Sequence, residues 1–553
     1  MQIIKSRNFV ISSLKLLVIG VCASFIIEHY FFDITPFFIS PIFILSFLTL
    51  IVLQWHTKTF YKQGYFQPLQ VLLTAFLLFC VVHLRAGIYW ALNTFPLRDA
   101  NTVLLTLQEP FDDFAYGMVK SYLTTTIPQA LFITVILTIF FYIILNGIKK
   151  RLIAIGAYLV ATITLFISDI PISDYIHIIN NEPEKNATYS KFFAENYVDP
   201  DSVKITAPEQ KRNLILIYLE SLETTFSDKD HGGNQDTNLM PEITELALKN
   251  LNFGRIKNHI GGGNDTRGSN STFPSMHSRS LGIPNIINYT KTPILHHYKS
   301  LYKILNASGY HQIFFQGNPG LYKQFQYFAT DQKIDEVYGP NDLIQQMKLD
   351  TADLIRKQGY KTVQDKESFK FAKQILDTIS EPFSLTFFTI DTHSPSGIYD
   401  PDCIKANDEK KEDERLKASV RCVSRELNNF LDSIKSKPIY QNTSIIIFGD
   451  HRFPGTTLVN GFPNGKWIDI FINPSKKPNL EENRKFSDID MFPTILSSIN
   501  FEIEGGKLGF GTDLFSEKKT LLETISLDSI NKEFGRMAGH LTYESYLFQK
   551  RTK

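Results

Sequence analysis

The sequence has very little net charge, +1, because 57 Lys and Arg residues are balanced by 56 Asp and Glu residues. A balanced chain provides no overall basic field that would collect nucleic acid, and it has no acidic excess that would keep it disordered. A single small module is also excluded, because 553 residues allow about three to five domains. We therefore expect a large folded protein that does not bind nucleic acid.

Long apolar runs are rare after about residue 170 and frequent before it. Five stretches approach the roughly 20 residues that cross the hydrocarbon core of a bilayer. They are residues 9–27, 37–53, 68–84, 128–146 and 152–168. We therefore predict a transmembrane domain of five helices over residues 1–170, a juxtamembrane connector over 171–212 and a second domain over 213–553.

Basic residues in the short loops predict the orientation of these helices. Lys5 and Arg7 precede the first span, and further Lys and Arg residues separate the second span from the third and the fourth from the fifth. Such loops stay in the cytoplasm, so we predict a cytoplasmic N-terminus and an extracytoplasmic domain after residue 170. Residues 85–127 are aromatic but too polar to span, and we expect an interfacial segment or an external loop there.

Cysteine is scarce, and its four positions fit this topology. Cys22 and Cys80 fall in predicted spans, where cysteine behaves as a small hydrophobic residue. Cys403 and Cys422 flank a charged run in the second domain, which the predicted topology places in an oxidising compartment. A disulfide between them is our prediction, and two buried thiols are the alternative.

After residue 213, short apolar runs alternate with helical patterns, which is typical of βαβ units and a mostly parallel sheet. Strands are predicted at residues 213–219, 311–315, 383–390, 444–448 and 467–472. Three of these runs end at side chains that bind metals or transfer protons, namely Glu220, Asp391 with His393, and Asp450 with His451. The ligand crevice of such sheets lies outside the carboxyl ends of the strands, so we expect these groups to converge. Helix capping, which also favours Asp and Thr, is the alternative.

A glycine-rich turn at residues 261–266 leads into a run of hydroxyl residues and a proline. This pattern predicts a helix start whose N–H groups and dipole attract anions, although helix capping alone would also explain it. Glu220, Asp450 and His451 supply two carboxylates and an imidazole, a set suited to zinc or manganese. A hydroxyl on such a metal loses its proton more easily and becomes a nucleophile.

Five motifs, in order, resemble the catalytic domain of the alkaline-phosphatase/sulfatase-like enzymes. The resemblance is to the branch that contains lipoteichoic acid synthases and the phosphoglycerol transferases of osmoregulated periplasmic glucans. The motifs are residues 213–223, 272–284, 315–318, 388–395 and 448–451. The resemblance covers about residues 205–530, and the predicted membrane half and the Cys403 and Cys422 pair look like the same branch. It implies an α/β domain with a mostly parallel central sheet.

The resemblance also implies roles for particular side chains. The metal ligands would be Glu220, Thr272, Asp450 and His451, with Thr272 as the nucleophile. His393 would contact the transferred phosphate or the leaving group, and Asn318 and Lys323 are candidates for substrate contacts. Alignment on Pro274 would instead select Ser269 as the nucleophile, and Thr266 is a further hydroxyl in the same loop. His277 and Arg279 are expected to be helix-surface or packing residues, with phosphate contacts as the alternative.

The implied reaction is a double displacement at the outer face of a bacterial cytoplasmic (inner) membrane. The enzyme would take phosphoglycerol from phosphatidylglycerol and pass it to a glycan or a polyglycerol phosphate. One divalent ion, Mn²⁺ or Zn²⁺ with Mg²⁺ as a third option, would assist.

Three other functions stay open at this point. A phosphoethanolamine transferase acting on lipid A would share the metal and nucleophile, although that branch tends to have more extracellular cysteines. A sulfatase would usually carry an Asp-Asp pair and a Cys or Ser that becomes an aldehyde, where this sequence has Glu220 and Thr272. An inactive membrane scaffold would be expected to have lost metal ligands that are all present here.

Overall fold

The structure is a computed structural model. It describes residues 68–94, 122–145, 148–169, 191–266, 269, 271–284, 298–318, 322–351, 362–394, 397–398, 400, 402–403, 412–453, 458–459, 465–479 and 483–538. The chain divides into two compact units, one formed by Met1–Ala100 with Met118–His177 and the other by Asn101–Gly117 with Ile178–Lys553. The predicted domain boundaries at residues 170 and 212 stay predictions.

The described part of the first unit is helical. Its helices are Pro68–Thr94, Ile127–Ile144 and Ile148–Asp169, with a π-helical turn at Tyr122–Thr126. Leu78, Phe141 and Ile155 pack together between them. None of the helices among the described residues is both long enough and apolar enough to cross a bilayer.

Two boundaries in this unit differ from the sequence prediction. The helix predicted to end at residue 84 continues to Thr94, so the loop alternative is wrong for residues 85–94. In this part of the helix the Arg85 guanidinium donates a hydrogen bond to the Tyr158 hydroxyl at 3.4 Å. The helix predicted from residue 152 begins at Ile148, so the basic triplet 149–151 lies in its first turn. Residues 9–27 and 37–53 lie outside the described part of the chain.

The second unit is an α/β domain. Its helices are Lys191–Asn196, Pro241–Lys249, Thr272–Leu281, Leu301–Ala307, Tyr322–Asp331, Pro340–Met347, Asp365–Thr378, Glu412–Lys435, Met491–Ser498 and Leu527–Ala538. Short 3₁₀ turns lie at Pro200–Ser202, Thr224–Phe226, Lys229–His231, Pro438–Asn442, Asp488–Asp490 and Glu504–Gly506. The strands are β1 Ile205–Thr206, β2 Asn213–Leu219, β3 Gly262–Gly263, β4 His311–Gln316, β5 Glu336–Tyr338, β6 Phe383–Phe388, β7 Thr443–Gly449, β8 Trp467–Ile472, β9 Glu502–Ile503, β10 Lys507–Leu508 and β11 Gly511–Thr512.

Seven strands form the central sheet, in the order β3-β8-β7-β2-β6-β4-β5. Strands β5, β4, β6, β2 and β7 are parallel, and β8 is antiparallel to β7. The predicted mostly parallel sheet is confirmed, and each of the five predicted strands lies within two residues of an observed one. The remaining strands pair in two small sheets, β1 with β9 and β10 with β11.

The sheet is buried on both faces, as its apolar strands require. Alternate residues of β2 point to opposite faces, so Leu216 and Tyr218 lie in one apolar cluster while Ile217 and Leu219 lie in the other. Helices cover both clusters, and only the strand ends reach polar surroundings. The fold therefore leaves the carboxyl edge of the sheet as the place for reactive side chains.

Candidate active site

Two neighbouring strands bring the first pair of acidic side chains together. Strands β2 and β7 pair so that Leu219 lies opposite Gly449, and Glu220 and Asp450 follow directly. A Cβ atom at Gly449 would lie 1.8 Å from the carbonyl oxygen of Leu222, so only glycine fits at this strand end. Both carboxylates are buried, with Glu220 only 2% exposed and Asp450 0% exposed.

His451 completes a buried cluster with these carboxylates, and the three side chains offer ligand atoms within 4.8 Å of one another. Its Nε2 atom lies 3.5 Å from Glu220 Oε1 and 3.6 Å from Asp450 Oδ2. Its Nδ1 atom lies 2.9 Å from the carbonyl oxygen of Arg452. Because a carbonyl only accepts, Nδ1 donates the hydrogen, and Nε2 of the neutral ring points its lone pair at the carboxylates. Such an arrangement calls for a cation between the three groups.

The hydrogen bonds of Asp450 also fit a metal. Its Oδ1 accepts from the backbone N–H of Ser221 at 2.6 Å and of His451 at 2.7 Å. Its Oδ2 is buried and has no hydrogen-bond partner among the described residues. Burial, followed by repulsion from Glu220, raises the pKa of Asp450 to about 7. Burial lowers the pKa of His451, but attraction to Asp450 and Glu220 outweighs it and the net shift is upward. Two carboxylates and one imidazole suit a divalent cation, and Asp450 Oδ2 could be one of its ligands.

Thr272 is the first residue of the helix Thr272–Leu281, which we call the Thr272 helix. Its Oγ1 donates a hydrogen bond to Glu220 Oε2 at 3.2 Å, so the hydroxyl lies at the buried cluster. One turn later the Ser275 hydroxyl donates to the backbone carbonyl of Asp450. The structure therefore brings together all four residues that the sequence suggested as metal ligands.

The competing hydroxyls of the glycine-rich loop contact a different acid. Ser269 Oγ donates to Asp488 Oδ2 at 2.6 Å, and Thr266 Oγ1 donates to the same oxygen at 2.9 Å. The N–H of Thr266 donates to Asp488 Oδ1 at 2.8 Å. Asp488 was not identified from the sequence, because it lies more than 200 residues away in an ordinary Ser-Asp-Ile-Asp capping pattern. These two hydroxyls are engaged in holding the loop.

His393 lies in the loop that follows β6, and two threonines of this loop contact the cluster residue Glu220. The N–H of Glu220 donates to the Thr389 hydroxyl at 2.8 Å. The Thr392 hydroxyl donates to the carbonyl oxygen of Glu220 at 2.5 Å. The Nδ1 atom of His393 lies 2.8 Å from the carbonyl oxygen of Ser394. His393 is not part of the three-residue cluster, but its loop is fixed to it.

The two candidate substrate contacts are less well defined. Asn318 follows β4, and its N–H donates to Gln316 Oε1 at 2.7 Å. Lys323 belongs to the helix Tyr322–Asp331, and its side chain lies outside the described part of the structure. Neither is placed at the cluster by the described contacts.

The predicted disulfide between Cys403 and Cys422 is confirmed, with the two Cα atoms 5.7 Å apart. It ties the loop after β6 to the helix Glu412–Lys435. The alternative of two buried thiols is wrong.

Two further charged residues adjoin the cluster. Arg452 follows His451 directly, and its Nε donates to Asp265 Oδ2 at 3.0 Å. Asp265 lies in the glycine-rich loop, and β3 of that loop packs so closely on β8 that a Cβ atom at Gly263 would lie 2.0 Å from the Trp467 ring. Because Arg452 directly follows the Asp450–His451 pair in the sequence, its place near the cluster could have been predicted. Its pairing with Asp265, which lies far away in the sequence, could not.

A groove of about 460 Å³ runs beside β3. Lys466, Arg484 and Lys485 supply its basic side chains, and none of the described residues that line it is acidic. Arg484 is neutralised by Glu523, with 2.7 Å between Nε and Oε1, which leaves two lysines. Asn264 also lines the groove and directly precedes Asp265, the partner of Arg452.

Comparisons with known proteins agree with this geometry. Residues 212–500 match the family described as Sulfatase. Phosphoglycerol transferase I of Salmonella paratyphi B (strain ATCC BAA-1250 / SPB7) is 28% identical over 270 residues, which is 47% of this chain and 33% of that protein. The alignment thus spans about a third of the length of the curated relatives that the chain matches.

Solved structures are also similar. The lipoteichoic acid synthase LtaP from Listeria monocytogenes has a TM-score of 0.42 and 15% identity, over 57% of this chain and 79% of that one. The lipooligosaccharide phosphoethanolamine transferase EptA from Neisseria meningitidis has a TM-score of 0.44 and 12% identity, over 90% of this chain and 96% of that one. Identity and TM-score are low in both pairs, so the firmest finding is the match over residues 212–500.

Proposed function

The chain belongs to the sulfatase family, and on that basis we propose that it is a metal-dependent transferase. It takes phosphoglycerol from phosphatidylglycerol and passes it, through a covalent threonine intermediate, to an acceptor hydroxyl in the cell envelope. One observation carries this proposal. The Thr272 hydroxyl bonds Glu220 within the cluster, whereas the hydroxyls of Thr266 and Ser269 bond Asp488.

A single divalent ion, Mn²⁺ or Zn²⁺ with Mg²⁺ as a third option, would be held by Glu220, Thr272, Asp450 and His451. When bound there it makes a hydroxyl more acidic and offsets charge on phosphate oxygens. Asp450 Oδ2, which has no hydrogen-bond partner among the described residues, and the orientation of His451 Nε2 support this ligand set.

In the first step, Thr272 Oγ1 attacks the phosphorus of phosphatidylglycerol. Its proton passes to Glu220 Oε2, the oxygen to which the hydroxyl already donates. The new bond joins the threonine oxygen to phosphorus, and the bond from phosphorus to the diacylglycerol oxygen breaks. The departing oxygen takes a proton from His393, whose loop is fixed to Glu220.

In the second step, an acceptor hydroxyl attacks the same phosphorus and gives its proton to His393. The bond from phosphorus to Thr272 breaks, and the threonine oxygen regains its proton from Glu220. Both residues return to their starting protonation states, so the cycle is complete without any other reactant.

The groove beside β3 supports an anionic acceptor. Two lysines without an acidic neighbour in the lining attract negative charge, which polyglycerol phosphate carries and a neutral glycan does not. Lys485→Ala should therefore raise the KM for a glycerol phosphate oligomer several-fold and leave diacylglycerol release unchanged. Lys370→Ala, on the helix Asp365–Thr378, is the matched control. An equal KM in both variants would favour the neutral glycan.

The proposed location is the outer face of a bacterial cytoplasmic membrane, where the donor lipid and the acceptor are both present. The apolar runs before residue 170 and the basic loops between them support this placement.

The donor lipid separates this function from its main alternative, a phosphoethanolamine transferase. Purified full-length protein in mixed vesicles should release diacylglycerol from phosphatidylglycerol and leave phosphatidylethanolamine intact. Peptide mass analysis should then find a glycerophosphate adduct on Thr272. Release from phosphatidylethanolamine instead would establish the alternative, and release from neither lipid would contradict transfer from a phospholipid. A sulfatase is disfavoured because its usual Cys or Ser is replaced by Thr272.

A further inference from the structure

Arg279 is a fully buried cation directly behind the active-site cluster. It lies in the Thr272 helix and is 0% exposed. Its Nη2 donates to the carbonyl oxygen of Gly449 at 2.9 Å, and Nε and Nη1 have no hydrogen-bond partner among the described residues. A buried guanidinium held so sparingly by hydrogen bonds needs another source of stabilisation.

Three aromatic rings provide it. The guanidinium carbon lies 4.2 Å from the centroid of Trp467, 4.9 Å from that of Phe448 and 5.6 Å from that of Tyr218. Cations over aromatic faces are attracted by the ring quadrupole, most strongly when water is excluded. Tyr218 and Phe448 lie opposite each other in β2 and β7, each two residues before a carboxylate of the cluster. Arg279 is thus held against the strand pair that presents Glu220 and Asp450.

The contacts of the Thr272 helix follow its period. Thr272, Ser275 and Arg279 are three and four residues apart, so they share one face of the helix. They bond, in order, the Glu220 carboxylate, the Asp450 carbonyl and the Gly449 carbonyl. Two of these acceptors are backbone groups of β7 and of the residue that follows it. A shift of the helix along β7 would break them together.

We propose that Ser275 and Arg279 are positioning residues that hold the Thr272 helix in register with the end of β7. They thereby place the Thr272 hydroxyl and the Asp450 carboxylate at the distances that cation binding requires. This inference rests on the proposed function, because it assumes that the cluster holds a divalent cation.

The sign of the effect distinguishes positioning from charge alone. Removing a nearby positive charge would, by itself, strengthen the binding of a cation. Loss of register would weaken it, and residues that orient metal ligands typically change metal affinity 10- to 100-fold.

In the experiment, the full-length protein in detergent is titrated with Mn²⁺ and with Zn²⁺, and isothermal titration calorimetry measures the affinity for each ion. Arg279→Met should weaken binding by about 10- to 100-fold. The control is Arg484→Met, which also removes a buried arginine but lies away from β7, and it should lower the unfolding temperature without changing metal affinity.

A smaller variant guards against misfolding. Ser275→Ala should also weaken metal binding by about 10-fold or more. Ser280→Ala is its control on the same helix, because the Ser280 hydroxyl donates to the carbonyl of His277 and not to β7. Metal affinity equal to or higher than wild type in folded Arg279→Met or Ser275→Ala would overturn the positioning role and leave the proposed function standing. A wild-type protein that binds neither ion would overturn the proposed function, and this inference with it.

Discussion

At the scale of single residues, hydrogen-bond partners separate hydroxyls that the sequence could not. Ser269 Oγ lies 2.6 Å from Asp488 Oδ2 and 2.7 Å from the Ser278 hydroxyl. Thr272 Oγ1 instead donates a hydrogen bond to Glu220. Buried hydroxyls with two strong partners stabilise a loop, and a hydroxyl beside metal ligands is available for chemistry. The two positions should therefore fail in opposite ways when mutated.

Ser269→Ala should lower the free energy of unfolding by about 1–3 kcal/mol, because buried Asp488 Oδ2 loses one of its two hydroxyl donors and keeps only Thr266. It should still form the glycerophosphate adduct. Thr272→Ala should change stability by less and form no adduct. Denaturant titration and peptide mass analysis of both proteins test this, and an adduct on Ser269 would reverse our assignment of the nucleophile.

Metal binding should increase the free energy of unfolding of the protein. A ligand that binds only the folded state at 100 times its Kd raises the free energy of unfolding by about 2.7 kcal/mol. Saturating Mn²⁺ or Zn²⁺ should therefore raise the unfolding temperature of the wild type, and a chelator should reverse it. Asp450→Asn and His451→Ala should show neither effect. A metal response that persists in both variants would place the ion elsewhere.

Asp469 offers a test of burial that does not involve the proposed metal. Burial, partly offset by the N–H of Phe253 at 3.0 Å, raises the pKa of this β8 carboxyl to about 7. Since the folded state then binds a proton more tightly than the unfolded state, this group's stabilisation is lost as the pH rises from about 4 to about 7. The loss amounts to roughly 4 kcal/mol.

Pulse proteolysis in urea, which follows the fragment containing residues 213–500, measures this effect. Wild type should lose more stability than Asp469→Asn between pH 4 and pH 8. Equal slopes for the two proteins would show that the carboxyl titrates normally.

At the scale of elements, apolar runs predicted the positions of the main strands, but the sequence did not predict which strands pair or in which direction. Five continuous runs of Ile, Leu and Phe gave β2, β4, β6, β7 and β8, because strands buried on both faces must be apolar throughout. The two glycines of β3 and the three residues of β5 carry no such signal, and nothing in the run 467–472 shows that β8 is antiparallel. The carboxyl ends of β2 and β7 placed Glu220, Asp450 and His451 correctly, whereas Asp488, Ser275 and the role of Arg279 depend on contacts between distant segments.

The Cys403–Cys422 disulfide links two elements and should be measurable. Closing a loop of 19 residues stabilises a fold by about 3 kcal/mol in the chain-entropy model. Cys403→Ser with Cys422→Ser should therefore lower the urea midpoint of the second unit and keep metal affinity, since the bridge lies apart from the cluster ligands. Thiol labelling of the denatured, unreduced wild type should find only Cys22 and Cys80 reactive, and four reactive thiols would contradict the bridge.

At the scale of the whole molecule, the proposed function requires the second unit to lie outside the cytoplasm. The proposed reaction needs a phospholipid donor and an envelope acceptor on the same side of the membrane. The three described helices of the first unit coincide with predicted spans, and the basic triplet 149–151 begins the last of them. The topology predicted from the sequence would place the second unit on that side of the membrane.

Reporter fusions test that topology. A phosphatase reporter fused after residue 210 should be active, and a cytoplasmic reporter at the same point should be inactive. The reverse pattern would put the second unit in the cytoplasm and remove access to the proposed acceptor. A fusion after residue 60, between the second and third predicted spans, is the internal control and should give the opposite result.

The close contacts of Gly263 and Gly449 have a genetic consequence. Every amino acid that a single nucleotide change can put in place of glycine carries a Cβ atom. At these two positions that atom would lie 2.0 Å from the Trp467 ring and 1.8 Å from the Leu222 carbonyl oxygen. No single-nucleotide change at either codon gives an amino acid that the fold can accommodate. Inherited variation there is therefore confined to synonymous changes. A library of random point mutants selected for function should contain no missense changes at either codon, while an exposed position such as Lys370 accumulates substitutions.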